Sequence, residues 1–391
     1  MPSSQAGSKG IAKVVRIPIT NVFMNGDYTG VIQVGADKKT ANVILDTGSG
    51  ALALDGNLYN PGADRNAKTT NIAQEVKYES GSWVGAVVHT DIAVGTGKQS
   101  ISLQNVSVTV AYAESSDMFG KANGILGLAY TRLNSAYTMP GVTWPPKYNY
   151  NQIQQGRVTF LEPYFTELEA QGAVANKFAF YTKRSMIRFA TPDPATDDFN
   201  KGFLLVGGGE ESKDLYSGAF QSVDILDDDW YNTNLKAVIV GDTDPIEVPP
   251  PTKASKLLTN SIVDSGTNSL LLDDSLFQTI AKRLTSGEDK SLTQAMRNGY
   301  LPMSSLKLAE WPAITFVLQG SSGDVKLAVS PENYWQSDAP EKGYAAAGIM
   351  SDNGQLKGRS ILGLPLMNGY FTIFDRSVDK GLGVIKFAQR K

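Results

Sequence analysis

The chain has 391 residues, and its 36 basic and 39 acidic side chains leave a formal net charge of only −3. With no basic stripe, no polybasic run and no apolar stretch of membrane-spanning length, neither nucleic acid nor a membrane is an expected partner. The lack of cysteine and the single histidine, His89, exclude thiol catalysis and disulfides and leave too few ligands for a zinc or histidine metal site. Carboxylates remain for acid–base chemistry, and we expect neither a metal nor a cofactor.

The composition predicts a mainly β protein with two domains. A chain of this length exceeds what one hydrophobic core usually serves. Its 38 glycines, 18 prolines and many short alternating apolar runs indicate short strands joined by frequent turns. In chain order, residues 1–10 are predicted as a frayed end, and the first strands are predicted at 11–19, 27–35 and 40–45.

A carboxylate motif follows the third of these strands. The apolar run 43–45 reads as a buried strand that delivers Asp46 to a tight turn formed with Thr47, Gly48 and Ser49. A buried carboxylate is unfavourable unless it is hydrogen-bonded, and the two hydroxyl side chains are donors within reach. Glycine permits the turn and a close approach of the backbone. By itself, such a motif usually marks only an Asx turn.

The rest of the first half is predicted to be strands and one helix. Residues 91–110 alternate and indicate two strands. Residues 131–160 are rich in aromatic residues and proline, and we predict a surface insertion there, with a specificity or contact loop as the alternative. A helix is predicted at 164–171 and further strands at 178–181 and 202–208.

The second half repeats the motif. Residues 261–267 again place an aspartate, Asp264, between an apolar run and a hydroxyl-glycine-hydroxyl turn. Each copy also has a distant companion, the Ile-Leu-Gly runs at 125–127 and 361–363. The same order therefore occurs twice in one chain, and this is an internal repeat of domain size rather than a solenoid period.

Both copies resemble the active-site motifs of pepsin-family aspartic peptidases, and the similarity extends from about Tyr28 to Phe387. The resemblance implies a mainly β, bilobal pepsin-like acid-protease fold, in which two pseudo-two-fold-related β lobes enclose a central cleft covered by a flap hairpin. The run 202–208 is similar to the strand that closes the first lobe in the family. We therefore expect an N-terminal lobe of residues 1–211 and a C-terminal lobe of residues 212–391.

The resemblance also implies an aspartic endopeptidase that cleaves polypeptides between apolar residues at acid pH and is inhibited by pepstatin-type compounds. Asp46 and Asp264 are the expected catalytic residues and would hold the attacking water between them. Because like charges at about 3 Å cannot both ionise, the two would share a proton. The resemblance further assigns structural roles to Thr47 and Ser265, and substrate contacts to Gly48, Ser49, Tyr78, Ser80, Gly81, Ile125, Gly266 and Thr267.

Residues 76–85 resemble the flap hairpin of the family, with Tyr78 overhanging the two aspartates. The sequence departs from the family at two nearby positions. Ala53 stands where the family has a tryptophan that pairs with the flap tyrosine, and Glu79 replaces the usual glycine. Trp83 is an aromatic residue that is atypical of the family at its position, and we expect it to fill the space left by the missing tryptophan.

Two other functions remain as alternatives. One is a non-catalytic peptide- or protein-binding homologue on the same fold, and the other is a glycosidase that uses two carboxylates, although a glycosidase would not require the duplicated motif. No signal peptide is visible in residues 1–20, and cysteine is absent, so we expect a cytoplasmic protein, with a processed secreted chain as the alternative. We expect a monomer similar to bacterial homologues that lack a prosegment.

Overall fold

A computed structural model describes residues 13–78, 81–251, 257–285 and 291–391 of the chain. Strands dominate it, so the predicted mainly β fold is confirmed. The strands of the first half are β1 (Val15–Met24), β2 (Asp27–Val34), β3 (Lys39–Asp46), β4 (Leu52–Asp55), β5 (Lys68–Lys77), β6 (Ser82–Thr96), β7 (Gln99–Glu114), β8 (Gly124–Gly127), β9 (Ser135–Thr138), β10 (Arg157–Phe160), β11 (Lys177–Tyr181) and β12 (Lys201–Val206).

The second half continues with shorter strands. They are β13 (Tyr216–Asp224), β14 (Asn232–Thr233), β15 (Leu235–Val240), β16 (Ile246–Glu247), β17 (Ser261–Val263), β18 (Leu270–Leu272), β19 (Tyr300–Pro302), β20 (Ile314–Leu318), β21 (Val325–Val329), β22 (Trp335–Ser337), β23 (Tyr344–Ala347), β24 (Ile349–Ser351), β25 (Ser360–Leu362), β26 (Tyr370–Asp375) and β27 (Val384–Arg390). The α-helices are α1 (Tyr150–Ile153), α2 (Tyr164–Ala170), α3 (Asp274–Leu284), α4 (Ser291–Asn298), α5 (Pro331–Tyr334) and α6 (Leu364–Met367).

One large sheet carries the first half of the chain and reaches into the second. Its strand order is β10-β9-β5-β6-β7-β4-β8-β3-β2-β1-β12-β11-β26-β27-β13. Smaller sheets in the second half have the orders β14-β17-β25-β18-β24, β16-β15-β20-β21 and β19-β23-β22. The boundary predicted at residue 211 falls between β12 and β13, and it stays a prediction.

The two carboxylate motifs occupy matching positions in these sheets. β3 pairs in parallel with β8, which places Asp46 opposite Gly127. β17 pairs in parallel with β25, which places Val263 opposite Leu362. Each Ile-Leu-Gly run therefore lies beside the strand that leads into an aspartate, as the family resemblance implied. Parallel neighbours of this kind come from distant parts of the chain.

Several details differ from the sequence-based expectation. β1 begins at Val15 and extends to Met24, beyond the predicted end at residue 19. Residues 11 and 12 of the predicted strand lie outside the described part of the chain. The predicted surface insertion at residues 131–160 contains β9 and β10, which pair and extend the edge of the large sheet. Among the described residues, no helix is long and apolar enough to cross a membrane.

Candidate active site

Two aspartates emerge from buried strands and turn toward each other. Asp46 is the last residue of β3, and Asp264 directly follows β17. Their exposed fractions are 5% and 7%, so neither carboxylate has much contact with solvent. We call these two residues the aspartate pair.

The hydrogen bonds of the two carboxylates are alike. In the first loop, Gly48 N–H donates to Oδ1 of Asp46 at 2.7 Å, and the Ser49 hydroxyl donates to Oδ2 at 2.5 Å. In the second loop, Gly266 N–H donates to Oδ1 of Asp264 at 2.9 Å, and the Thr267 hydroxyl donates to Oδ2 at 2.7 Å.

The two loops bring the carboxyl groups close together, and each carboxyl group influences the pKa of the other. A Cβ atom added to Gly48 would lie 2.8 Å from both carboxylate oxygens of Asp264, and one added to Gly266 would collide with Oδ1 of Asp46. Glycine is therefore required in each loop to leave room for the carboxylate of the other.

Burial sets the acidity of the aspartate pair. It is the largest cause that raises the pKa of Asp46, the charge of Asp264 adds to it, and together they raise this pKa to about 7 despite the hydrogen bonds from Ser49 and Gly48. Burial also raises the pKa of Asp264, while hydrogen bonds from Thr267 and Gly266 lower it. One shared proton is thus favoured on the pair well above the usual range of a carboxylic acid.

Reciprocal hydrogen bonds interlock the two loops. The N–H of Thr47 donates to Oγ of Ser265 at 3.1 Å, and the N–H of Ser265 donates to Oγ1 of Thr47 at 2.8 Å. The Ser265 hydroxyl also donates to Leu45 O at 2.7 Å, and the Thr47 hydroxyl to Val263 O at 3.4 Å. These buried bonds tie each half of the chain to the strand that carries the other aspartate.

The pattern of the chain matches the family model described as eukaryotic aspartyl protease over residues 27–389. This match spans nearly the whole chain. The chain belongs to the aspartyl protease family. Its fold and its enzyme class, an aspartic-type endopeptidase acting on polypeptides, follow from that membership.

Individual relatives of the protease are distant in sequence. Pepsin A of Sus scrofa is 24% identical over an alignment of 395 positions that covers 97% of this chain and 86% of that protein. A probable vacuolar protease A of Arthroderma benhamiae is 23% identical and covers 94% of this chain and 80% of its own length. A beta-secretase of Strongylocentrotus purpuratus is 23% identical and covers 88% of this chain and 64% of its own length.

The flap hairpin of the protease is formed by β5 and β6 and ends near the aspartate pair. Tyr78 follows β5, and its N–H donates to Gly81 O at 2.7 Å. Burial, followed by the charge of Asp46, raises the pKa of Tyr78. Tyr78 packs against an apolar cluster of buried residues that includes Ile125, which is 6% exposed. The predicted contact residue Ser80 and its neighbour at 79 lie outside the described residues.

Ala53 and Trp83 lie in that same apolar cluster, which we call the flap cluster. Trp83 is 1% exposed and Ala53 is fully buried. Both residues thus belong to one buried cluster beside the flap, and that Trp83 fills the space left by the missing tryptophan stays a prediction.

Two contributors were missed from the sequence. The indole N–H of Trp230 donates to Gly48 O at 2.9 Å and supports the first loop from the second half of the chain. Asp27 begins β2, its Oδ1 is buried without a hydrogen-bond partner, and burial followed by the charges of Asp264 and Asp46 raises its pKa well above the ordinary value. No local motif marks either residue, because both roles depend on contacts across long sequence separations.

Proposed function

We propose that the protease hydrolyses peptide bonds by a water molecule held and activated by Asp46 and Asp264. The observation that carries this proposal is the close approach of two buried carboxyl groups, each of which lies against the glycine of the other loop. Burial also raises the pKa of both groups. With one carboxyl ionised and the other protonated, the pair can take a proton from water and give one to the substrate.

The proposed reaction needs no covalent enzyme intermediate. The water oxygen bonds to the substrate carbonyl carbon while a water proton passes to the ionised carboxylate, and the protonated carboxyl gives its proton to the carbonyl oxygen. The C–N bond then breaks as the carboxyl that took the water proton gives it to the amide nitrogen. The other carboxylate accepts a proton from a hydroxyl of the tetrahedral diol, and the carbonyl re-forms as a carboxylic acid. Protons and electron pairs balance, and the aspartate pair again holds one proton.

We further propose that the substrate binds as an extended strand beside the flap, with an apolar side chain near Ile125. Gly81 and Ser80 would contribute from the flap, and Gly266 from the second loop. Gly48 is constrained, because its N–H already donates to Asp46 and its carbonyl already accepts from an indole. A carbonyl has a second lone pair, so acceptance of a substrate N–H is the contribution open to Gly48.

The test is digestion of a mixed peptide library at acid pH, with and without pepstatin, by the wild-type protein and by Asp46→Asn and Asp264→Asn variants. We expect cleavage between apolar residues, inhibition by pepstatin, and a loss of turnover of at least about a hundredfold in each variant. The matched control is Asp242→Asn, because Asp242 is exposed. Turnover above about a tenth of wild type in either pair variant rejects the mechanism.

The same experiment distinguishes the proposed protease activity from the alternative, a non-catalytic binding function. A protein that binds pepstatin but cleaves no peptide of the library is the non-catalytic binding homologue. Size-exclusion chromatography of the same preparation tests the proposed monomer.

A further inference from the structure

Part of the insertion runs along the outside of the flap hairpin. We call residues 135–154, which include β9 and α1, the brace segment. β9 pairs with the flap strand β5, with Tyr137 opposite Ala73. Directly after β9, the N–H of Met139 donates to Asn71 O at 2.7 Å. The brace segment is therefore bonded to the backbone of β5 along the first half of that strand.

The second half of β5 has two different faces. From Ala73 onward β5 pairs with β6 without a bulge, so its successive side chains point to opposite sides. Val76 and Tyr78 pack against the flap cluster on one side. Ala73 faces the other way, into an apolar cluster to which the brace segment contributes buried residues. Glu75 and Lys77 share the side of Ala73 and therefore point toward the brace segment.

Glu75 is a nearly buried carboxylate on that second face, and it is 8% exposed. The side-chain amide of Gln154 donates to its Oε2 at 2.9 Å. Nζ of Lys77 lies 3.1 Å from its Oε1 and 4.8 Å from the centroid of the Tyr150 ring. A buried carboxylate is unfavourable without such partners. Glu75 thus joins the end of the flap strand to the brace segment.

Gln154 is placed by a short helix that is itself anchored. α1 begins after Asn149, whose side chain exchanges hydrogen bonds with the Gln152 side chain and backbone in a capping box. Ile153, at its end, is fully buried. Gln154 follows as the C-cap residue, and its N–H donates to Tyr150 O at 3.3 Å. The amide that reaches Glu75 therefore comes from a fixed backbone position.

We propose that Gln154 is a positioning residue of the protease, which acts through Glu75 to hold the end of β5, and with it Tyr78, beside the aspartate pair. Lys77 directly precedes Tyr78 in the chain, so the bonded groups lie within three residues of the flap tyrosine. The insertion would thereby control how far the flap is ordered before substrate binds.

The consequence for turnover rests on the proposed function, because the position of the flap matters only if a peptide is cleaved beneath it. A substrate that binds only the ordered flap has its apparent affinity reduced by the fraction of molecules in which the flap is ordered. Once the substrate is bound, the flap is in place in either case. Loss of the contact should therefore raise KM and leave kcat nearly unchanged.

The kinetic test is Gln154→Ala, with one library peptide that the wild type cleaves. We expect KM to rise about three- to tenfold and kcat to stay within about twofold of wild type. The matched control is Gln155→Ala, because Gln155 is the adjacent exposed glutamine, whereas the bond to Glu75 comes from Gln154. Both constants should be unchanged in the control. An unchanged KM in Gln154→Ala, or an equal rise in Gln155→Ala, overturns the positioning role.

A double-mutant cycle with Glu75→Ala tests the route of the effect. Glu75→Ala removes the acceptor, so the variant that carries both changes should have the same KM as Glu75→Ala alone. Multiplied increases in KM would show that Gln154 acts independently of Glu75, and the proposal would be wrong.

Hydrogen exchange provides a measurement that does not depend on turnover. The backbone amides of residues 73–78, followed by mass spectrometry without substrate, should exchange at least about threefold faster in Gln154→Ala than in wild type. The amides of β26, in the second half of the chain, serve as the internal reference and should not change. Unchanged exchange at residues 73–78, or equal acceleration in β26, contradicts a local effect on the flap strand. If exchange responds locally but the wild type cleaves no peptide, the positioning contact stands and the proposed function fails.

Discussion

Burial governs the chemistry of individual carboxyl groups at this site. It is the largest cause of the raised pKa of Asp46 and of Asp264. The charge of Asp264 raises the pKa of Asp46 further, whereas the interaction with Asp46 lowers the pKa of Asp264. The hydrogen bonds from each loop lower these pKa values again but do not restore the ordinary value. The consequence is a pair that keeps one proton toward neutral pH, which is the protonation state that the proposed mechanism requires.

Activity should therefore depend on pH in a defined direction. We expect kcat/KM to be highest in acid and to fall as the pH rises through about 7, because the shared proton is then lost from the aspartate pair. The measurement is the pH–rate profile on one peptide, with enzyme stability checked at each pH. A flat profile from about pH 4 to about pH 8 contradicts the shared-proton mechanism.

The raised pKa of Asp27 leads us to expect that the stability of the protein depends on pH. Its folded-state pKa is raised by burial and by Asp264 and Asp46, so the folded protein holds this proton more tightly than the unfolded chain does. The unfolded group ionises above about pH 4, and folding then becomes less favourable as pH rises from there toward the folded pKa. We expect Asp27→Asn to raise the melting temperature at about pH 7 and to leave it nearly unchanged at about pH 3.

Asp242→Asn provides the comparison for this prediction, because Asp242 is exposed. Its melting temperature should match wild type at both pH values. Equal effects of Asp27→Asn at the two pH values would show that lost packing, rather than ionisation, explains the change.

At the scale of elements, two strand-to-turn units depend on each other for their shape. β3 and β17 each end at a loop whose glycine faces the aspartate of the other loop. The hydroxyl and N–H groups of Thr47 and Ser265 exchange hydrogen bonds between these loops. Neither loop can move alone without breaking buried hydrogen bonds, each worth about 1 kcal/mol net and more when a buried group is left unpaired.

Gly266→Ala tests this close approach. The added Cβ would collide with Oδ1 of Asp46, so the loops must separate and the carboxyl contact must lengthen. We expect a loss of activity of at least about a hundredfold and a destabilisation of about 1–3 kcal/mol, measured by peptide turnover and by denaturant unfolding.

Gly141→Ala is the matched glycine control. A Cβ there would meet only the far ends of the side chains of Lys147 and Tyr148, at 3.4 and 3.7 Å. Activity and stability should stay close to wild type. A fully active Gly266→Ala variant would show that the two loops can accommodate an added methyl group at this position.

Across the whole molecule, an aromatic junction joins the two halves of the chain. β11 from the first half pairs with β26 from the second, with Phe178 opposite Phe374. Their rings stack with centroids 5.0 Å apart, and the Tyr231 ring meets the Phe374 ring edge-on at 4.5 Å. All three side chains are fully buried. The junction therefore packs residues from both halves of the chain into one buried aromatic group.

Phe374→Ala should destabilise the whole protein. Loss of a fully buried ring leaves a cavity, and we expect unfolding to become easier by about 3–5 kcal/mol. The measurement is denaturant unfolding followed by circular dichroism and by loss of activity. Phe160→Ala is the control, because Phe160 is 54% exposed. Retained stability in Phe374→Ala would mean that the halves do not depend on this junction.

The sequence by itself determined the fold class, the family and the identity of the two candidate catalytic aspartates. These features are local, because an apolar strand, an aspartate and a hydroxyl-glycine turn are adjacent in the chain, and the repeat makes the pattern specific. The same reasoning predicted a flap role for Tyr78 and a packing role for Trp83. It predicted a surface insertion at residues 131–160 but not the pairing of β9 with β10 there, because composition does not show which segments pair.

Only the tertiary structure decided how these parts act together. The interlocking residues Thr47 and Ser265 are 218 positions apart, and the Trp230 indole reaches Gly48 across 182 positions. Periodicity and turn signals describe neighbours in sequence, whereas the degree of burial and the sharing of a proton depend on which distant groups are brought into contact. The raised pKa of Asp27 and the hydrogen bond from Gln154 to Glu75 are consequences of that packing.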